Sequence, residues 1–378
     1  MKPLKPFLKL YLFVAFLMLL SVGCKTPPTN QNNKFNSQFQ SVIDGEISEN
    51  IPGILVNITS PKLGVEWSGA SGLADWEQKV AIGPDQTFRI ASVTKTFVAA
   101  TVLRLWEDNK LSLDDFISKY ISLEHAKILE EGGYSPNKIT IRHLLSHTSG
   151  LGDHTNSGKY TVDFLKDRHI WSRTETLIDL VTLMEPAGEL GAQFSYSDTG
   201  YVLLGEIIEK ITGKSMGDAM LEQLQLKKLG LKDTYMEEFD GDFTGKRIHQ
   251  YHEGFDTYNF HPSLDYFGGG GLLSTSHDLS RFFISLFNHE VYRNQSTLDT
   301  MLTSVLNGAE QTMDYRFGIW RIEINGKEAY THTGFWGTQV VYIPEIETAI
   351  SANYSQRWTD SRIAPVIPKI LEVIEKED

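Results

Sequence analysis

The chain has 378 residues, with 35 Lys+Arg against 48 Asp+Glu, a formal charge of -13, 41% hydrophobic and 22% charged residues. At roughly 150 residues per domain this is ordinary globular composition with room for a substantial core, which excludes disorder, collagen and coiled coil. The acidic balance (pI ≈ 5.3) without a Lys/Arg-dense tract excludes a nucleic-acid binder, and the single Cys24 excludes an intramolecular disulfide framework and a Cys-based structural zinc site.

Lys2, Lys5 and Lys9 precede an apolar run of 11 residues, Leu10 to Leu20, which has the length of a signal h-region and is too short to span a bilayer. Residues 1–23 are therefore expected to be a signal peptide. Leu20-Ser21-Val22-Gly23-Cys24 resembles a bacterial lipobox, with Ser21 where an aliphatic residue is usual, so Cys24 is the expected site of lipidation and of a membrane anchor. The polar, Pro/Asn-rich residues 24–37 read as a flexible tether.

From residue 38 the chain reads as one domain. A short amphipathic helix over Phe35 to Ile47 leads into two strand-like runs, Gly53 to Ser60 and Leu63 to Ser68, joined at Pro61-Lys62 as a hairpin. Ser92 to Asn109 has the apolar spacing of a largely buried helix. Further helices are expected over Thr140 to Ser146, Glu175 to Met184, Gly200 to Ile211 (capped by Asp198 or Thr199), Met216 to Leu224 and Ser276 to Phe287. After Tyr315 the pattern becomes an antiparallel meander with a hairpin turn at Asn325-Gly326, and Ile363 to Glu375 closes as a helix. The fold class is α+β: an antiparallel sheet built from both termini and flanked by helices, with a mainly helical insertion at about 101–290.

Ser92-Val93-Thr94-Lys95 is S-x-x-K at a helix start, a spacing that puts hydroxyl and amine on one face. A serine hydroxyl is a weak nucleophile unless a neighbouring group takes its proton, and a helix start offers free N–H groups to an oxyanion. An N-cap serine beside a surface lysine is the plain alternative. Ser135-Pro136-Asn137-Lys138 also matches, but Pro136 in a Gly/Pro loop leaves no helix face to hold that pair. Ser92 stands out through Tyr196-Ser197-Asp198, which opens a helix, and His332-Thr333-Gly334 between two strands.

S-x-x-K, a Tyr/Ser-x-Asn-like triplet and a basic-Thr-Gly strand, in that order, make the chain resemble the serine β-lactamase and penicillin-binding-protein family. It is most similar to the branch of class C β-lactamases, D-alanyl-D-alanine carboxypeptidases and related esterases. The resemblance runs from about Gly45 to the C terminus through FRIASVTKTFVAA, IRHLLSHTSGL, FSYSDTGYVLLGEIIEKITG, GGGGLLSTSHDLSRF and THTGFWG. It implies Ser92 as nucleophile and Lys95 and Tyr196 as the proton-shuttling pair. Asp198, His332, Thr333, Gly334 and Phe335 would contact substrate, with the N–H groups of Ser92 and Phe335 as oxyanion hole. The implied role is an envelope serine hydrolase acting on D-amino-acid peptides of the carboxypeptidase type or on small esters and amides. β-Lactam hydrolysis and a non-catalytic peptidoglycan-binding lipoprotein are the alternatives. The expected partners are the substrate and, through the lipid, the membrane; no metal and no cofactor are expected.

Two residues depart from the family pattern. Asp198 replaces the usual Asn, losing an amide donor and adding charge near Lys95. His332 replaces the lysine of β-lactamases and is expected to attract a substrate carboxylate only when protonated, within the assay range. Other signals give way to plainer readings. Tyr292-Arg293-Asn294 is a solvated loop, Gly213 and Ser215 are helix caps rather than a nucleophile elbow, and His147 is a structural turn. His143 with His147, and His249 with His252, lack the remaining ligands of a metal site. Gly268 to Gly271 is expected to allow close backbone approach near the cleft.

Overall fold

The computed structural model describes residues 31–164, 169–237, 246–305, 314–358 and 361–376. The expected signal peptide, Cys24 and the first part of the tether lie outside them. Among the described residues, no helix is long and apolar enough to cross a membrane.

Strands β1 (Gly53–Ser60), β2 (Val65–Asp75) and β3 (Val80–Ala81) come from the N-terminal side. A small sheet of β4 (Phe88–Arg89), β8 (Leu272–Ser274) and β5 (Tyr235–Met236), and the hairpin β6 (Tyr251–His252) and β7 (Phe255–Asp256), lie within the middle of the chain. The C-terminal strands are β9 (Asp314–Tyr315), β10 (Trp320–Ile324), β11 (Lys327–Gly334), β12 (Thr338–Ile343) and β13 (Thr348–Tyr354). Among the described residues the main sheet has eight strands in the order β3-β2-β1-β13-β12-β11-β10-β9, with Ile54 opposite Tyr354 where the two ends of the chain meet. The α+β architecture with a sheet built from both termini is thus the observed one. Asn325 and Gly326, at φ 51° and 76°, make the tight β10–β11 turn.

The helices are α1 (Gln31–Asp44), α2 (Thr94–Glu107), α3 (Leu123–Glu131), α4 (Ile141–Leu145), α5 (Gly158–Phe164), α6 (Arg173–Leu183), α7 (Asp198–Thr212), α8 (Met216–Gln223), α9 (Leu226–Leu229), α10 (Ser276–Phe287), α11 (Gln295–Met301) and α12 (Val366–Glu375). One face of the sheet is covered by α1 and α12: Phe39 and Ile43 of α1 and Ile367, Ile370 and Ile374 of α12 join Ile54, Val56, Ile58 and Ile350 in one buried cluster. The opposite face carries α10 and the helical region. Every residue of β1 is therefore buried, as expected of a strand covered on both sides.

Four sequence expectations are corrected. Helix α1 begins at Gln31, inside the stretch read as tether, because its amphipathic face docks on β2 and α12. The expected insertion boundary near 101 falls within α2, a continuous helix buried from Thr94 to Leu105. The α7 cap is Ser197, whose hydroxyl accepts the Gly200 N–H (3.3 Å), rather than Asp198 or Thr199. Tyr292 is buried, and the Arg293 and Asn294 N–H groups donate to Glu107 at the end of α2, so that loop is docked through Tyr292 and its backbone while Arg293 and Asn294 remain exposed as expected.

Three residues before Ser92, Arg89 holds the middle of the chain to the sheet. Its Nε donates to Glu237 Oε2 (2.7 Å) and its Nη2 to Oε1 (3.0 Å), while further bonds reach the carbonyls of Thr257 (3.1 Å) and Phe260 (2.5 Å). Arg247 lies 3.3 Å from the same carboxylate. All three charged side chains are buried, so removing the carboxylate strands two cations away from water. Glu237→Gln is expected to destabilise the fold by about 3–5 kcal/mol in chemical denaturation, against ~1 kcal/mol or less for the exposed pair Lys119–Asp115. Equal losses would show that Arg89 and Arg247 are satisfied without Glu237.

Candidate active site

Ser92 sits in a 3₁₀ turn, Ala91–Val93, that runs into α2. It is therefore not the helix N-cap; that position is Val93. One turn on, Lys95 is 0% exposed. Its Nζ donates to Ser92 Oγ (2.8 Å), to the Gly269 carbonyl (2.7 Å) and to Asp198 Oδ1. Three donors thus meet three acceptors, as an ammonium requires. Burial works against the charge, but the Asp198 carboxylate, with help from Tyr196, outweighs it and holds the lysine pKa above its ordinary value.

Asp198 is the first residue of α7, where the helix dipole favours an anion. Glycine at 269 eases this approach: a Cβ there would sit a tight 3.0 Å from Asp198 Oδ1, which would have to give by a few tenths of an ångström. The Gly268 to Gly271 run does allow close backbone approach. The Tyr196 ring centroid lies 5.0 Å from Lys95 Nζ, and its hydroxyl feels both Lys95 and Ser92. Burial pushes the phenol up to about 12; the lysine charge opposes that shift and Asp198 adds to it.

Strand β11 is internal to the sheet, but its pairing with β10 ends at Thr331, whereas its pairing with β12 continues to Gly334. The segment 332–334 therefore has one side outside the ladder, and it packs against the Ser92 turn. A Cβ at Gly334 would meet the Ile90 carbonyl at 2.2 Å. Phe335, just beyond, is 41% exposed and lines the pocket in front of Ser92.

His332 departs from expectation. Its side chain is buried, Nδ1–H donates to the Thr333 carbonyl (2.9 Å), and Nε2 faces the Tyr315 hydroxyl (3.4 Å). Burial, reinforced by Lys95, pushes its pKa down to about 3. It stays neutral through the assay range and cannot attract a substrate carboxylate, because a strand residue facing the core is desolvated. Thr333 points instead into a second groove with Trp320, Gln339 and Arg357.

The pocket, a cavity of about 320 Å³, brings Ser92, Asp198 and Phe335 together with residues that sequence reasoning missed: His154, Tyr160, Asp265 and Trp336. Burial pushes Asp265 up to about 7, and the neighbouring Asp198 charge adds to the shift. Asp153, behind them, is raised to about 7 for the same two reasons in the same order. Burial lowers His154 to about 4. Two of these had a sequence signal: Asp265 lies just ahead of the glycine run, and Trp336 follows Phe335 within THTGFWG.

The discounted motifs take other places. His143 joins Thr140 in a capping box; Gly213 and Ser215 cap α7 and α8; Ser135 closes a turn with Lys138. His249 bonds Asp256 (2.7 Å), while His252 packs on Phe335. Asp163, His169 and Glu175 group their ligand atoms within 4.8 Å of one another, but Lys159 already lies 2.9 Å from Asp163 and 3.3 Å from Glu175.

The Beta-lactamase family profile matches residues 40–364. This chain belongs to that family. It is 28% identical over 313 residues to Penicillin-binding protein 4* of Bacillus subtilis (strain 168), a match that takes in 76% of this chain and 65% of that relative. The fold is similar to that of a D-stereospecific amidohydrolase from Streptomyces sp. (TM-score 0.76, 24% identity, 89% of this chain and 98% of the other). It is also similar to D-amino acid amidase from Ochrobactrum anthropi SV3 complexed with L-phenylalanine amide (TM-score 0.76, 23% identity, 91% and 99%). The chain spans less than two thirds of the length of the curated relatives it matches, 65% of Penicillin-binding protein 4* and 39% of Protein flp of Staphylococcus aureus (strain MW2).

Asp198 raises both Lys95 and Tyr196. In this Beta-lactamase-family site Asp198→Asn is therefore expected to lower both. The rising limb of the pH profile of kcat/KM toward an activated ester should then move to lower pH by roughly 1 to 3 units. A limb that stays in place would leave Asp198 only a role at the start of α7.

Proposed function

We propose that this hydrolase forms an acyl-enzyme at Ser92 and acts on small amides, short peptides and esters whose acyl part carries a free amine, of the D-amino-acid type. Lys95 stays an ammonium, so the group that takes the Ser92 proton is the Tyr196 oxygen; with the phenol pushed up to about 12, only its small ionised fraction acts as base, and turnover rises with pH. Ser92 Oγ then attacks the carbonyl carbon, and the oxyanion is met by the N–H groups of Ser92 and Phe335. The leaving group departs with the proton from Tyr196. Water, deprotonated by the same oxygen, breaks the ester and restores Ser92.

One observation carries the substrate class. The pocket in front of Ser92 is lined by the carboxyl groups of Asp198 and Asp265, and among the described residues lining it there is no lysine or arginine. An ammonium is favoured in such a pocket and a carboxylate is not; with His332 neutral the carboxypeptidase-type reading loses the anion partner expected from the sequence, and Arg357, a cation close enough to feel Tyr196, lines the separate groove beside Thr333. The names of the amidohydrolase and amidase with the same fold support this choice.

Ser92→Ala is expected to abolish both the covalent adduct with an activated ester and turnover. Asp265→Asn should raise KM for a D-amino acid amide by about 10- to 150-fold, the scale of one hydrogen bond to a charged group, and leave its N-acetyl counterpart unchanged. Asp265 gains its charge near 7 and an α-amine loses its own near ~8, so the wild-type KM should be lowest between these values. Preference for the N-acetylated amide at every pH would overturn the substrate class while leaving the Ser92 assignment intact.

We also propose that Cys24 is acylated, which supports an envelope location. One acyl chain binds a membrane only marginally, so stable attachment needs several. The wild type should partition into detergent and Cys24→Ala should not; unmodified Cys24 in soluble wild-type protein would refute the anchor.

A further inference from the structure

His147 takes no part in the proton transfers above, yet it is built into the site beneath them. It is buried, and its backbone is left-handed at φ 55°, a region that side chains rarely adopt. Three contacts then converge on one segment. The His147 carbonyl accepts the Ser195 N–H (2.8 Å), its Nδ1 accepts the Ser197 N–H (3.1 Å), and its ring lies 4.3 Å from the ring of Tyr196, the residue between them. Phe194, just before that segment, meets the His147 ring edge-on at 5.9 Å.

Because Nδ1 accepts, the ring proton is on Nε2. Nε2 is buried with no hydrogen-bond partner among the described residues. A chain reversal alone gives no reason to bury an unpaired donor, which is costly. Burial, reinforced by Lys95 and His332, keeps the imidazole neutral and so keeps the Nδ1 lone pair available.

We infer that His147 is a positioning residue that fixes the Tyr196 hydroxyl against Ser92 and Lys95, by pinning both of its chain neighbours and supporting its ring. This rests on the assignment of proton transfer to Tyr196.

The test is a double-mutant cycle with an activated ester. His147→Gly removes acceptor and ring without strain at a left-handed position. His147→Asn suits the same backbone and puts an amide oxygen where Nδ1 stood. We expect His147→Gly to lower the acylation rate by about 10- to 100-fold, the scale of a small misplacement of a reacting group, with KM within about twofold. His147→Asn should recover most of the rate. In a Tyr196→Phe background, His147→Gly should cost almost nothing more, since it acts through a hydroxyl that is gone. Losses that multiply in the double variant, or that appear in KM, would overturn the role of His147 alone. A fully active Tyr196→Phe would overturn the Tyr196 assignment and this inference with it.

Discussion

The site is organised around one buried cation. An ammonium out of water is tolerated only when each of its protons has an acceptor and a counter-charge stands close by. Lys95 meets both conditions through three different parts of the chain: Ser92 one turn before it, Asp198 at the start of α7, and the Gly269 carbonyl in the loop before β8. Those partners stand 3, 103 and 174 residues away, so one side chain holds together the helix, the helical region and the small sheet. The same bonds aim the serine.

Around that cation the protein uses backbone as much as side chain. Gly334 has no Cβ where none would fit, which lets its strand lie against the Ser92 turn, and Gly269 has none where one would crowd Asp198, which eases the approach of its carbonyl to Lys95. Arg89, just upstream, does related work with charge, tying the loops that form the far wall of the pocket to Glu237. The result is a nucleophile hydrogen-bonded to a buried ammonium beside a pocket lined by the carboxyl groups of Asp198 and Asp265.

How much of this could be read from the sequence depended on how local each signal was. Ser92, Lys95 and Tyr196 were legible because short motifs carry them, and the two-ended sheet was legible because strand-like runs sit at both ends of the domain. The direction in which His332 faces was not, since burial of a strand residue depends on what covers the sheet. Asp265, His154 and Trp336 come from separate loops that only tertiary packing brings together. The two-residue strands of the small sheet are too short to leave a periodic pattern. Helix α1 was read as starting late because its first residues, Gln31 to Asn33, are polar, and its docking on β2 and α12 is long-range.

The order of strands in the main sheet also has a consequence in time. β1 leaves the ribosome early, yet its neighbour β13 begins almost 300 residues later, and β11, which flanks Ser92, comes only shortly before β13. The turn that carries Ser92 and the start of α2 that carries Lys95 are therefore both present long before the strand that completes the cleft. Such long-range pairing makes folding slow, and it makes completion of the cleft beside Ser92 a late event that coincides with closure of the sheet.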